Sequence, residues 1–190
     1  LCGLASSVLA ILLAVRAEFA GAAIALVAAF VFDVVDGPVA ARAKNRDADQ
    51  STFGANLDSL ADMVSAGVVL GVIILAYGNF AVAYLPFAVV LAAATALRLS
   101  YFNVHGLDAE SGAYTGLPTD LAIIGFVTLM LLDGPLELPA FRIALSAGAV
   151  LLAAAMVSSL PIPKLTGRSY GAVIAFGMML AALHAIRLWS

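Results

Sequence analysis

Asp33 and Asp36 stand three residues apart, Asp58 and Asp62 four apart, and the basic residues Arg42, Lys44 and Arg46 lie between the two pairs. On helices, those spacings put each pair on one face. If the two helices pack as neighbours, four carboxylates converge. A carboxylate at membrane depth costs on the order of 2.5 to 3.5 kcal/mol even on a lenient insertion scale, and crowding several adds repulsion. A bound cation is therefore expected among them. With no His or Cys in the stretch, the oxygen donors suit a hard divalent ion such as Mg2+, Mn2+ or Ca2+. Two such ions could grip a diphosphate and stabilise both the attacking and the leaving oxygen of a phosphoryl displacement. Gly37, Ala40, Ala41, Gly54 and Ala55 leave room for a ligand to approach the backbone, and Arg42, Lys44 and Arg46 offer charge to phosphate oxygens. The plainer alternative is that these acids cap helix ends or pair with the cations of their own loop, Asp58 and Asp62 suiting the dipole of a helix start. Two pairs facing each other across a basic, glycine-bearing loop favour ligand binding.

The elements that must position these acids are membrane helices. Hydrophobic residues make up 64% of the chain and charged residues 11%, with a mean hydropathy of +1.09, against roughly 25% charged in soluble domains. Seven apolar segments follow one another, at about 1 to 15, 19 to 43, 54 to 77, 80 to 104, 117 to 132, 139 to 160 and 169 to 188. Many approach the ~20 residues a spanning helix needs. The pattern predicts an all-α, polytopic transmembrane bundle forming a single domain over residues 1–190. The chain begins at Leu1 inside an apolar stretch, so an N-terminal piece is expected to be missing or processed. Cys2 is the single cysteine, which excludes an intrachain disulfide. The net charge of -3 and the lack of a basic tract argue against nucleic acid as a partner. With alternate loops on one side, Arg42, Lys44, Arg46, Arg98, Lys164 and Arg168 face Arg16, Arg142 and Arg187 across the bilayer. The positive-inside tendency puts the acids at the cytoplasmic face of the cell membrane.

At these residues the sequence resembles the CDP-alcohol phosphatidyltransferase family, whose signature D-x-x-D-G-x-x-A-R, then G-x-x-x-D-x-x-x-D, is matched by Asp33, Asp36, Gly37, Ala40, Gly54, Asp58 and Asp62. The resemblance implies a six-helix core, here with one helix more, in a membrane enzyme that is usually a homodimer. Such an enzyme moves a phosphatidyl-type group from a CDP-activated lipid, CDP-diacylglycerol or CDP-archaeol, to an alcohol and releases CMP. By position, it makes Asp33, Asp36 and Asp58 the principal ligands of two Mg2+ or Mn2+ ions. Asp62 becomes a further ligand and the general base, while Gly37, Ala40 and Gly54 line the cytidine diphosphate pocket. The signature arginine departs from the pattern: Ala41 follows Ala40, and Arg42 comes one later. Arg42 is preferred over Arg46 as the diphosphate contact. "LDSLADMVSAGV", "ALRLSYFN" and "GLPTDLA" resemble the phosphatidylserine synthase branch, with Asp120 where that branch often has Pro and Ala66 where it commonly has Phe.

If L-serine is the acceptor, its carboxylate needs a cation and its ammonium an acceptor. Arg98 is the candidate for the first, with Asn103 nearby and Lys164 and Arg168 as alternatives; Asp120 is the candidate for the second. Arg98 could instead snorkel to the interface and Asp120 be an exposed helix-start acid. His105 reads as a loop residue and His184 as an interface residue. Glycerol 3-phosphate or inositol phosphate are same-family alternatives, needing a denser basic pocket. Outside the family, a cation-coupled transporter explains paired acids but not the basic loop. A membrane prenyltransferase would have two separated acidic motifs.

Overall fold

The computed structural model describes residues 1–42, 47–110, 112–164 and 168–189, and for 36–42, 48 and 168 the backbone alone. The elements are α1 (Cys2–Val15), α2 (Phe19–Arg42), α3 (Ala48–Asp62), a π-helical segment (Met63–Val69) and α4 (Leu70–Tyr77). After a 3-10 turn (Val82–Tyr84) come α5 (Leu85–His105), β1 (Tyr114–Thr115), α6 (Thr119–Met130), α7 (Leu138–Met156), β2 (Pro161–Ile162) and α8 (Arg168–Ile186). The helix α3, the π segment and α4 form one continuous rod. The chain is an all-α membrane bundle; the described residues form seven rods, and each rod corresponds to one of the seven apolar segments.

Among the described residues, four stretches are long and apolar enough to cross a bilayer: Asp49–Tyr77, Val82–His105, Leu138–Met156 and Ser169–Ile186. Cys2–Val15, Phe19–Val35 and Thr119–Met130 are shorter apolar helices. Local chemistry sets their ends. Asp47 caps α3, its carboxylate accepting from the Gln50 amide at 2.7 Å, so this rod starts six residues before the apolar pattern does. Pro86 and Pro139 sit in the first turns of α5 and α7, where the missing N–H is not needed. The rod ending at Tyr77 closes with a bond from the Phe80 amide to Leu75 O at 2.7 Å and one from Asn79 to Ala76 O at 3.0 Å, with Asn79 at φ 51°. That is a Schellman stop with the residue type that best replaces glycine.

Helices α1 and α2 pack along each other, and both bury alanines: Ala10 and Ala14 on α1, Ala22, Ala23 and Ala25 on α2. Small side chains let helix backbones approach where no hydrophobic effect drives them together. Larger residues, among them Phe30, Leu70, Ile73, Phe126, Phe141 and Leu145, fill the centre. A two-residue antiparallel ribbon pairs Tyr114 with Ile162 and Thr115 with Pro161, tying the α5–α6 connection to the α7–α8 connection at the end of the bundle where the acids lie.

A carboxylate site at one end of the bundle

Helix α2 carries Asp33 toward one end of the bundle, α3 begins at that same end, and α5 returns to it. Asp33 is fourteen residues from Phe19, or about 21 Å along a helix; Phe19 stacks on Tyr77 with ring centroids 3.6 Å apart. The two ends are therefore separated by most of a bilayer's apolar depth.

At the acid end, carboxylate oxygens of Asp33, Asp62 and Asp120 lie within 4.8 Å of one another, all three side chains half-buried. They come from three different rods, α2, α3 and α6. Asp120 was expected at an acceptor's ammonium; the structure places it against Asp33 and Asp62. Asp58, one turn before Asp62, is exposed and lies outside this group of three. The side chains of Asp36, Gly37, Ala40 and Arg42 lie outside the described residues, as does Arg46 entirely; the backbone of α2 continues as helix through Gly37 and Pro38 to Arg42. Gly54 is half-buried in the second turn of α3.

The loop before α6 presents one group to Asp62 and another to Arg98. Gly116 sits at φ +77°, its amide bonded to Leu160 O at 2.8 Å, and the Leu117 amide bonds to Ala155 O at 2.9 Å. A Cβ at Gly116 would stand 2.4 Å from Met156 O, so both the backbone twist and the space demand glycine. Held in this way, Leu117 O accepts from Arg98 Nε at 3.2 Å, and Thr119 Oγ1 donates to Asp62 Oδ2 at 3.0 Å. Thr119 is buried, which fixes the direction of the Asp62 carboxylate.

Arg98 is buried, at 5% exposure, which separates it from a snorkelling cation. Its guanidinium carbon lies 5.2 Å from the centre of the Phe102 ring and 5.7 Å from that of Tyr114, two tilted rings whose centres are 5.6 Å apart, and these cation–π contacts offset part of its desolvation. Burial pushes the Tyr114 phenol above its ordinary value; the charges of Tyr170 and Asp120 push the same way and Arg98 opposes them. Tyr170, at the start of α8, is within electrostatic reach of Asp120 and Asp33.

Asn103 makes a different contact from the one expected. Its amide embraces the Ser59 hydroxyl, Nδ2 at 3.0 Å and Oδ1 at 3.1 Å, so it joins α5 to α3 beside the acids. Lys164 is exposed and the Arg168 side chain lies outside the described residues. His105 is exposed at the end of α5, whereas His184 is buried and meets Val127 O at 3.2 Å. Sequence reasoning missed Thr119, Phe102, Tyr114 and Tyr170. For Thr119 the signal was its place beside Asp120 after Pro118; for the aromatics there was none.

Three carboxylates this close repel unless a proton or a cation stands between them. An all-oxygen set at this spacing fits a hard divalent ion.

Comparison with known proteins identifies the family. The chain matches the family model for CDP-alcohol phosphatidyltransferase over residues 1–186. It is 31% identical over 163 residues to the archaetidylserine synthase of Methanothermobacter thermautotrophicus, covering 85% of this chain and 66% of that protein. It is 32% identical over 118 residues to the CDP-diacylglycerol–serine O-phosphatidyltransferase of Helicobacter pylori, covering 61% of this chain and 48% of the other. The aligned part thus spans just under two thirds of the first relative and about half of the second. No solved structure matches significantly. A family match over almost the whole chain, on a helical membrane bundle with converging carboxylates, places the protein: it belongs to the CDP-alcohol phosphatidyltransferase family.

Proposed function

We propose that the protein, as one integral membrane domain, transfers a phosphatidyl or archaetidyl group from CDP-diacylglycerol or CDP-archaeol to the hydroxyl of L-serine, releasing CMP. The observation that carries this reading is the convergence of Asp33, Asp62 and Asp120 from three rods beside a buried arginine. The names of the two relatives support serine over other alcohols.

Asp33, Asp36, Asp58 and Asp62, with Asp120 alongside, would hold Mg2+ or Mn2+, two ions in this reading, which supply charge neutralisation at the diphosphate. Gly37, Ala40 and Gly54 line the CDP-lipid pocket, and Arg42 or Arg46 meets its phosphates. Asp62 takes the proton of the acceptor hydroxyl as its oxygen bonds to the lipid-side phosphorus. The bond from that phosphorus to the bridging oxygen breaks, and CMP leaves with the electron pair. Thr119 keeps Asp62 aimed during this step. A general base of this kind contributes about 10^2 to 10^4 in rate. Arg98 presents its terminal nitrogens to the serine carboxylate, and the Phe102 and Tyr114 rings pack close to its guanidinium. Its Nε bond to Leu117 O ties that pose to the same loop that positions Thr119. Asn103 keeps α3 and α5 in register through Ser59; Lys164 and Arg168 remain alternative acceptor contacts. The site faces the cytoplasm, and a homodimer is the expected assembly.

The test is CMP release by purified protein from both CDP-lipids, with Mg2+ or Mn2+ and a panel of alcohols. Serine-dependent CMP and a phosphoserine-linked lipid are expected. Turnover with glycerol 3-phosphate or inositol phosphate and none with serine would move the protein to another branch, and ion flux without CMP would make it a transporter.

A further inference from the structure

Directly after Asp62 the rod leaves α geometry for the π-helical segment Met63–Val69 before resuming as α4. In a π-helix each N–H reaches five residues back instead of four, so the turn holds about one residue more. An α-helical residue advances the helix by about 100°. One additional residue therefore turns everything on its N-terminal side by about 100° relative to everything on its C-terminal side.

Both sides are pinned. On the C-terminal side Tyr77 stacks on Phe19, donates to Asp133 Oδ2 at 2.7 Å and gives its carbonyl to Arg142 Nε at 2.6 Å. On the N-terminal side Asp62 receives Thr119 and stands with Asp33 and Asp120. An unbroken α-helix of the same residues could not satisfy both. With Tyr77 fixed, the Asp62 carboxylate would swing through about 100°, a displacement of about 8 Å at the radius of a side-chain tip.

The local sequence sustains the irregular turn. Ser65 Oγ donates to Ala61 O at 3.1 Å and to Asp62 O at 3.3 Å, occupying carbonyls at the junction. Gly67 is buried against α5: a Cβ there would lie 2.9 Å from Met63 Cε and 3.4 Å from Thr95 Cβ. Thr95 is buried too, its hydroxyl bonded to Leu91 O at 2.9 Å. The segment's buried residues, Ser65, Ala66, Gly67 and Val69, pack inward, while Val68 points out of the bundle at 40% exposure.

We propose that the π segment sets the rotational phase of Asp62, so that the length of Met63–Val69, more than its outward side chains, determines turnover. This deepens the transferase reading and rests on it for its kinetic arm. Its geometric arm is independent of any activity.

The decisive variant is deletion of Val68, which removes one residue and no buried side chain; Val68→Ala keeps the length and serves as its control. In a Cys2→Ser background, Asp62→Cys with Thr119→Cys is expected to join through a short thiol-to-thiol crosslinker in isolated membranes. The join is retained with Val68→Ala and lost with the deletion. With Asp62 restored, the deletion is expected to lower kcat for CMP release about 100-fold or more, the scale of a misplaced reacting group, while Val68→Ala stays within about twofold. Inserting one alanine after Val68 turns Asp62 the other way and is expected to lose both signals; it takes the place of the deletion if the deletion does not yield monodisperse protein. Crosslinking and turnover in the deletion or insertion equal to those of Val68→Ala would overturn the proposal, as would Val68→Ala losing as much as the deletion. Absence of CMP release in the unaltered protein would sink the transferase reading instead, and the crosslinking pattern would still decide the phase.

Discussion

At the end of the bundle away from the acids, Tyr77 donates to Asp133, Arg142 caps Tyr77 O, and Arg187 donates to Met130 O and Leu131 O while buried His184 meets Val127 O. At the other end, Asp33, Asp62 and Asp120 draw like charges together. Both ends bury polar groups in a chain that is 64% hydrophobic. The first end satisfies them with backbone carbonyls and one tyrosine–carboxylate bond, the usual way a fold neutralises the cost of burial. The second concentrates carboxylates that repel one another unless a proton or a cation stands between them. The proposed function makes this a difference of purpose: one end would hold rods together, and the other would receive the ligand.

The comparison can be broken by substitution. The largest effect is expected from Asp62→Asn, which removes the proposed base and should lower CMP release by about 10^2 to 10^4 with little change in thermal unfolding. Asp133→Asn at the opposite end should leave kcat nearly unchanged. Turnover by Asp62→Asn at the full rate would remove the base from the mechanism.

A second contrast uses two glycines with left-handed backbone. Gly116, at φ +77° with Met156 O 2.4 Å from a would-be Cβ, is expected to lose about 3 kcal/mol as alanine, read as unfolding in detergent, together with activity. Gly134, at φ +94° with open space around it, should lose only about 1 kcal/mol and no activity. Between these, Tyr77→Phe is expected to cost about 1 to 3 kcal/mol, because the Asp133 carboxylate loses a donor, again without affecting kcat. Equal damage to turnover from both glycine substitutions would show that the two ends are not functionally distinct.

The rods were legible because their signals are local. Runs of Ala, Leu, Val and Ile end at "YGN", at Asp133–Pro135 and at the prolines after Ser159, and no tertiary contact is needed to read them. The start of α3 was placed late because the apolar run begins only at about residue 54, although Asp47 and Gln50 are spaced as a cap. The family signature was equally local, running from Asp33 to Asp62. What escaped depends on contacts far apart in the chain. Asp120 meets Asp62 across fifty-eight positions only because Gly116 and the 114–162 ribbon start α6 beside α3. Asn103 likewise reaches Ser59 across the packing of α5 on α3, a contact no spacing announces. The π segment escaped for another reason: "MVSAGVV" is apolar throughout, so its pattern fits either helix, and only anchoring at both ends selects the wider turn.

The most direct test is whether Asp120 belongs with the acids or with the acceptor. Mn2+ binding to purified protein without serine, followed by spin resonance in the unaltered chain and in Asp120→Asn, separates the two. If Asp33, Asp62 and Asp120 form one cation-binding group, the substitution should weaken Mn2+ binding about tenfold or more. Unchanged Mn2+ affinity with only a raised KM for serine would contradict it.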